Sequence, residues 1–209
     1  MAIFLREGIL RFHDTGAVCP TSHWAAKALT NALREERSPQ RILELGPGTG
    51  SVTVKILEDM IPGDKLSICE INPRFMRLLK ARLAKVPAYL ERQGDVSFFQ
   101  CPVQELPQPE TRFDVIVCAL PFSNFSIDTV RDIFRRLHSL SHDDTVMTYY
   151  EYIGLRRMGA LVAQGEKRTR LHELDRFFEE KHQNDLIKHE RVWLNILPIH
   201  VHTLRVGTE

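Results

Sequence analysis

The residues of this chain whose types and spacing suit chemistry gather in one stretch, Glu44-Leu45-Gly46-Pro47-Gly48-Thr49-Gly50, where an acid precedes three alternating glycines. The branched apolar residues Ile42 and Leu43 just before it read as a buried parallel strand that turns sharply into a helix. Glycine at such places lets backbone approach a ligand where a Cβ would collide or forbid the dihedrals. A dinucleotide fingerprint would need its third glycine one place after Gly50, where Ser51 stands. A pyrophosphate favours a helix N-terminus, whereas a sulfonium cofactor brings positive charge and an ammonium that suit an acid beside the turn. The spacing therefore points to S-adenosylmethionine rather than NAD. Roughly twenty residues past the glycines, Glu70 ends a second strand in Ile68-Cys69-Glu70-Ile71-Asn72-Pro73, where an acid grips ribose hydroxyls. The competing reading is a glycine-rich turn followed by an acidic helix cap, with no ligand.

Holding these groups on one edge requires strands alternating with helices. Residues 14–22 form a glycine and proline loop with hydroxyls, leading into a helix with Ala25, Ala28, Leu29 and Leu33 on its apolar side. Thr21 or Ser22 is its expected N-cap, and the same hydroxyls could equally touch the cofactor's carboxylate. After the glycine turn, Val52, Ile56 and Leu57 mark a crossover helix, and residues 65–70 a second strand. Asn72 caps a helix begun by Pro73, with Phe75, Leu78, Leu79 and Leu83 as its buried stripe. Strands are expected over residues 96–101, 113–118 and 146–150, with a helix from about Ser126 that buries Ile127, Val130, Phe134 and Leu137. Residues 155–189 mix charges of both signs and read as a solvated helix pair with a basic sub-run, Arg156, Arg157, Lys167, Arg168 and Arg170. Residues 192–197 and 199–206, either side of Pro198, form a closing hairpin. The expected fold is α/β: a doubly wound, seven-stranded, mostly parallel Rossmann-like sheet with an antiparallel C-terminal hairpin. Residues 1–37 would be an N-terminal helix and entry segment capping the active site, and residues 38–209 the cofactor-binding domain.

Composition narrows the class. With 209 residues and 43% hydrophobic content, one substantial core is expected. A net charge of +1 supplies no global field for a polyanion, so a nucleic-acid partner is not expected. Cys19, Cys69, Cys101 and Cys118 lie far apart without a C-x-x-C pair and read as buried hydrophobes in a reducing compartment. No apolar run reaches membrane-spanning length, and Arg6 and Glu7 interrupt the place of a signal peptide's apolar core. A cytoplasmic protein is expected. Leu5, Ile9 and Phe12 share a helical face with Arg6 and Glu7 off it, either as a lid packed on the domain or as an interfacial helix contacting the inner membrane face. His200 and His202 lack a third partner, so no metal site is expected.

From about Arg41 onward the chain resembles the class I S-adenosylmethionine-dependent methyltransferases. Within them it is similar to bacterial phospholipid N-methyltransferases, which methylate phosphatidylethanolamine, and to their ornithine-lipid relatives. The narrower likeness rests on Thr15-Gly16-Ala17-Val18-Cys19-Pro20-Thr21-Ser22, Ala119-Leu120-Pro121-Phe122-Ser123-Asn124-Phe125 and Leu194-Asn195-Ile196-Leu197-Pro198. Departures are Cys101-Pro102-Val103 where the class often has an adenine-binding Asp, Ile199 in place of a second proline, and Tyr149-Tyr150-Glu151 in place of T-Y-G.

The resemblance implies a cofactor set of Thr21, Ser22, Glu44, Gly46, Pro47, Gly48, Thr49, Gly50, Glu70, Ile71, Asn72, Val103, Gln104 and Ala119. It implies an acceptor wall of Leu120, Pro121 and Phe122, facing a lipid or other amine-bearing acceptor. A protonated amine cannot attack, so a base or water route is required, with Tyr150 or Glu151 as the candidate. Both tyrosines read equally well as strand-end core packing. Leu120-Pro121-Phe122 also approaches the motif of rRNA adenine N-methyltransferases, although Ala119 replaces Asn and an RNA-holding helical domain like that family's is not expected. A non-catalytic nucleotide-binding module is the remaining alternative.

Overall fold

A computed structural model describes residues 21–33, 37–154 and 165–207. The amphipathic segment, the entry loop up to Pro20, and Arg156 and Arg157 lie outside the described residues. The apolar, β-branched runs become strands, β1 (Arg41–Leu45), β2 (Lys65–Cys69), β3 (Val96–Phe99), β4 (Phe113–Cys118), β5 (Ser141–Tyr152), β6 (Leu186–Val192) and β7 (Ile199–Arg205). They form one sheet in the order β3-β2-β1-β4-β5-β7-β6. The first five run parallel, and β7 is antiparallel to both β5 and β6. The helices are α1 (His23–Leu29), α2 (Ser51–Asp59), α3 (Pro73–Leu83), α4 (Pro87–Glu91), α5 (Ile127–Leu140) and α6 (Glu166–Asp185).

Each central strand is buried on both faces because its side chains alternate. Ile42, Val115 and Val117 pack on the face covered by α1, α2 and α3, while Leu43, Ile116 and Cys118 pack under α5 and α6. α1 shares the first of these clusters, through Ala25 and Leu29, and the Thr148 hydroxyl donates to the Leu29 carbonyl at 2.6 Å. Ser22 rather than Thr21 is the N-cap, its hydroxyl accepting from Ala25 N at 3.1 Å. All four residues expected inside α5 are buried.

Several elements differ from expectation. In α3 the buried set is Met76, Leu79 and Leu83, whereas Leu78 is exposed, because the helix presents its i, i+3, i+7 row to the sheet. The hairpin's first strand spans Leu186–Val192 instead of residues 192–197, and 193–197 is the irregular connection before Pro198. In the described part of the charged region α6 is not a solvated helix: it buries Leu171, Leu174 and Phe178, whose i, i+3, i+7 spacing is diluted by the surrounding charges. β3 ends at Phe99, so Cys101 lies beyond it. No helix among the described residues is long and apolar enough to cross a membrane.

Opposite the glycine turn, the sheet's other edge is tied by Asp64. Its buried carboxylate accepts from Arg37 through two nitrogens, at 2.8 and 2.6 Å, and from the backbone of Gln40 and Ile61. Burial opposes the charge, but Arg37 and the two amides outweigh it and hold the carboxyl below its usual range. Asp64→Ala leaves the Arg37 guanidinium without its counter-charge and is expected to cost about 3 kcal/mol, lowering the melting midpoint by about 6–12 °C. The unfolded carboxyl titrates near 3.8 and the folded one lower. The wild-type advantage is therefore full above that value and lost as pH falls through the folded value. Thermal melts of both proteins between pH 7 and 2.5 should converge at the acid end.

Candidate active site

From β1 the chain steps outward to β2 and β3, then returns to place β4 on the other side of β1. The crevice at such a reversal opens at the carboxyl ends of β1 and β4. Backbone bonds hold the loops there side by side: Gly46 N donates to Cys69 O at 3.0 Å, Ala119 N to Leu45 O at 2.8 Å, and Glu70 N to Phe99 O at 3.0 Å. Both Gly46 and Gly50 have positive φ, 67° and 85°. A Cβ on Gly46 would sit 3.0 Å from Leu120 Cδ2, and one on Gly50 only 2.4 Å from Leu79 Cδ1. The turn thus requires glycine for both its handedness and its closeness. Pro47 and Gly48 are buried within it, Thr49 is half-buried, and α2 starts immediately after.

Glu44 is completely buried, and neither of its carboxylate oxygens has a hydrogen-bond partner among the described residues. Desolvation pushes its carboxyl up to about 8; the Thr53 hydroxyl opposes this without reaching hydrogen-bond geometry, and Glu70 adds to it. Glu70 is also raised by burial, against backbone donors that favour its charge. Its Oε1 accepts from Asn72 N at 2.8 Å and its Oε2 from Gly48 N at 3.4 Å, so the acid bridges the two loops. Asn72's side chain is engaged as the α3 cap, accepting from Arg74 N and Phe75 N.

Beyond β2, Ile71 is exposed, and a short turn over Val103–Glu105 leaves Val103 buried and Gln104 exposed. The Cys69 thiol donates to Cys101 O at 3.2 Å and burial pushes it up to about 12, as burial also does for Cys118, so both thiols stay protonated. Thr21 and Ser22 stand at the start of α1, with Ser22 N donating to Asn195 Oδ1 at 3.0 Å.

The β4 loop splits. Ala119 and Leu120 are half-buried and Pro121 is exposed at the mouth. The Phe122 ring instead turns inward, 5.4 Å from Phe178, 5.7 Å from Phe134 and 5.8 Å from Tyr149. Strand alternation then separates the two candidate bases. Tyr150 points to the α1 face beside Tyr152, while Glu151 shares the Phe122 face and lies 3.8 Å from His202 Nε2. Two histidines complete this side: His202, noted in the sequence only as lacking a third metal partner, and His182, which the sequence did not single out. His202 stacks on Tyr149 at 5.1 Å and on His182 at 4.3 Å, and His182 Nε2 is 2.6 Å from the Tyr149 hydroxyl. The sequence signal was the pair His200 and His202, but their neighbours follow only from the register that sets His202 opposite Tyr149 and His200 opposite Glu151.

The donor set suits a cofactor with an ammonium and a ribose. It offers an unsatisfied buried carboxylate, a glycine cradle open to close approach, and a second acid on the neighbouring strand end. A family model described as a methyltransferase domain matches residues 42–144. The ornithine lipid N-methyltransferase of Singulisphaera acidiphila is 29% identical over 134 residues, 63% of this chain and 68% of that protein. A ubiquinone/menaquinone biosynthesis C-methyltransferase, UbiE of Ectopseudomonas mendocina, is 28% identical over 55% of this chain, and that match spans only 44% of the relative's length. The O-methyltransferase TomG of Streptomyces achromogenes, solved in complex with S-adenosylmethionine, superposes with a TM-score of 0.65 at 17% identity, covering 89% of this chain and 81% of its own. Residues 42–144 thus carry a methyltransferase domain, and the chain shares the fold of the S-adenosylmethionine-dependent methyltransferases.

Proposed function

We propose that the chain methylates the amine headgroup of a membrane phospholipid or other aminolipid. The observation that carries methyl transfer is the unpartnered Glu44 carboxylate under the glycine turn, a site that a cofactor ammonium would complete. A lipid acceptor is supported by the ornithine lipid relative, and by the amphipathic pattern of Leu5, Ile9 and Phe12 ahead of the entry loop.

When bound, S-adenosylmethionine supplies an electrophilic methyl group on a sulfonium. In this reading Glu44 receives the ammonium, Glu70 accepts from the ribose hydroxyls, and Gly46 to Gly50 lie along the cofactor with Thr21, Ser22, Ile71, Asn72, Val103, Gln104 and Ala119 around it. Leu120 and Pro121 line the acceptor side and exclude water, holding an amine in line for displacement. Phe122 acts from behind, its ring fixing the loop against Tyr149 and Phe178. The amine must lose its proton before attack. Glu151 and His202, with His182 and Tyr149 beyond them, form the polar route on the acceptor face, and Tyr150 lies across the sheet from it.

Three measurements follow. Folded Glu44 keeps its proton up to about pH 8, while the unfolded carboxyl releases it near 4.5, so cofactor-free stability should fall as pH rises between these values. Glu44→Gln should flatten that slope and raise the midpoint at pH 8 by about 2–4 °C in thermal melts, while weakening S-adenosylhomocysteine binding by about tenfold to a hundredfold. Glu70→Ala should remove most of that affinity in titration calorimetry, and unchanged binding would mean that this strand end does not hold the ribose. Incubation with methyl-labelled S-adenosylmethionine and total bacterial lipid should put label into an aminolipid spot of the organic extract. Label confined to quinones, protein or RNA would overturn the aminolipid acceptor.

A further inference from the structure

Nine large apolar side chains stand exposed among the described residues, and six of them, Trp24, Leu186, Ile187, Trp193, Leu194 and Ile196, lie on α1, β6 and the β6–β7 connection. Scattered exposed apolar residues are ordinary, but a contiguous patch marks an interaction surface. Trp24 and Trp193 are the chain's two tryptophans, and they are 53% and 62% exposed. Both line one groove of about 610 Å³, with Leu194 and the cations Lys27, Lys188 and Arg191. Glu190, the one acid among the described residues of that lining, pairs with Lys188 at 3.0 Å and accepts from the Asn31 amide at 2.5 Å. Among the described residues the groove therefore sets three cations against one acid beside its tryptophans.

Its position relates it to the active site. Ile153 N donates to Pro198 O at 2.8 Å, and Ser22 N donates to Asn195 Oδ1 at 3.0 Å. These bonds bring the 193–198 connection and the start of α1 to the end of the sheet where β5 finishes. That is the end at which the glycine turn and Leu120-Pro121 open, since β5 runs parallel to β4 with Tyr149 beside Cys118.

We propose that this corner docks on an anionic bilayer surface. Trp24, Trp193, Leu194 and Ile196 enter the interfacial layer, where an indole places its ring among acyl chains and its N–H among headgroups. Lys27, Lys188 and Arg191 face lipid phosphates. Charge selects this occupant: three cations against one acid among the described lining residues complement anionic headgroups, whereas a second copy docked by the same face would bring a like excess of cations to the contact. The proposal rests on the aminolipid reading for its purpose, because docking would turn the crevice mouth towards headgroups. Its residues are distinct in sequence from the amphipathic segment near the N-terminus.

Because both tryptophans lie in the patch, intrinsic emission of the full chain reports on it alone. Phosphatidylglycerol vesicles should shift the emission to the blue, and bromine-labelled acyl chains should quench it; phosphatidylcholine vesicles should do neither. Leu194→Asp with Ile196→Asp, or Lys27→Glu with Lys188→Glu, keeps both reporters and should weaken partitioning by about tenfold or more, while methylation of detergent-dispersed aminolipid persists. Sedimentation with vesicles but without an emission shift would place docking elsewhere and overturn the proposal. So would emission already blue-shifted without lipid, or a dimer mass by light scattering that the charge variants abolish. Absence of methylation in detergent would instead defeat the aminolipid reading, whatever the vesicles show.

Discussion

Burial of a carboxylate in the middle of the sheet, with no hydrogen-bond partner among the described residues, is the constraint on which the rest of this structure depends. Glu44 lies on β1, flanked by β2 and β4, and its oxygens find no hydrogen bond. A buried charge in that state is costly, and the group responds by holding its proton to about pH 8. At the opposite end of the strands, Asp64 shows the other solution, with Arg37 and two amides meeting its charge and lowering its carboxyl. One edge of the sheet is thus closed by a satisfied acid, and the other is kept unsatisfied where the loops open. The proposed cofactor role of Glu44 gives that asymmetry a purpose, since a bound ammonium would supply the missing partner.

The glycine turn and the β4 loop are shaped around this acid. Left-handed backbone at Gly46 and Gly50 brings the turn against Leu120 and Leu79 with no room for a Cβ. Phe122 holds its loop from within the core, leaving Leu120 and Pro121 at the mouth. On the far side, the antiparallel hairpin carries imidazoles onto β5, and α6 supplies His182. The result is a chain of contacts from Glu151 through His202 and His182 to Tyr149, beside the loop proposed to wall the acceptor.

What the sequence alone determined was the glycine turn with its strand-end acids and the α/β architecture. Ile42 to Gly50 and Phe113 to Cys118 are continuous apolar runs with local turn chemistry, so strand, turn and helix follow from neighbours in the chain. Glu70 and the Asn72-Pro73 cap were legible for the same reason. Tertiary structure decided what depends on pairing between distant segments. The extent of β6 was hidden because its residues, mostly exposed on an edge strand, lack an apolar pattern. The buried row of α6 was diluted by charge, and the side of α3 that faces the sheet was set by packing rather than by its apolar count. Whether Tyr150 or Glu151 shares a face with Phe122 was settled by strand alternation together with the β5–β7 register, which set His202 and Tyr149 side by side. The gathering of both tryptophans into one groove likewise required α1 and the 193–198 connection, far apart in sequence, to meet through Ser22 and Asn195. Local runs and turns are written into adjacent residues, whereas facing, register and shared surfaces arise only when segments far apart in the chain pack together.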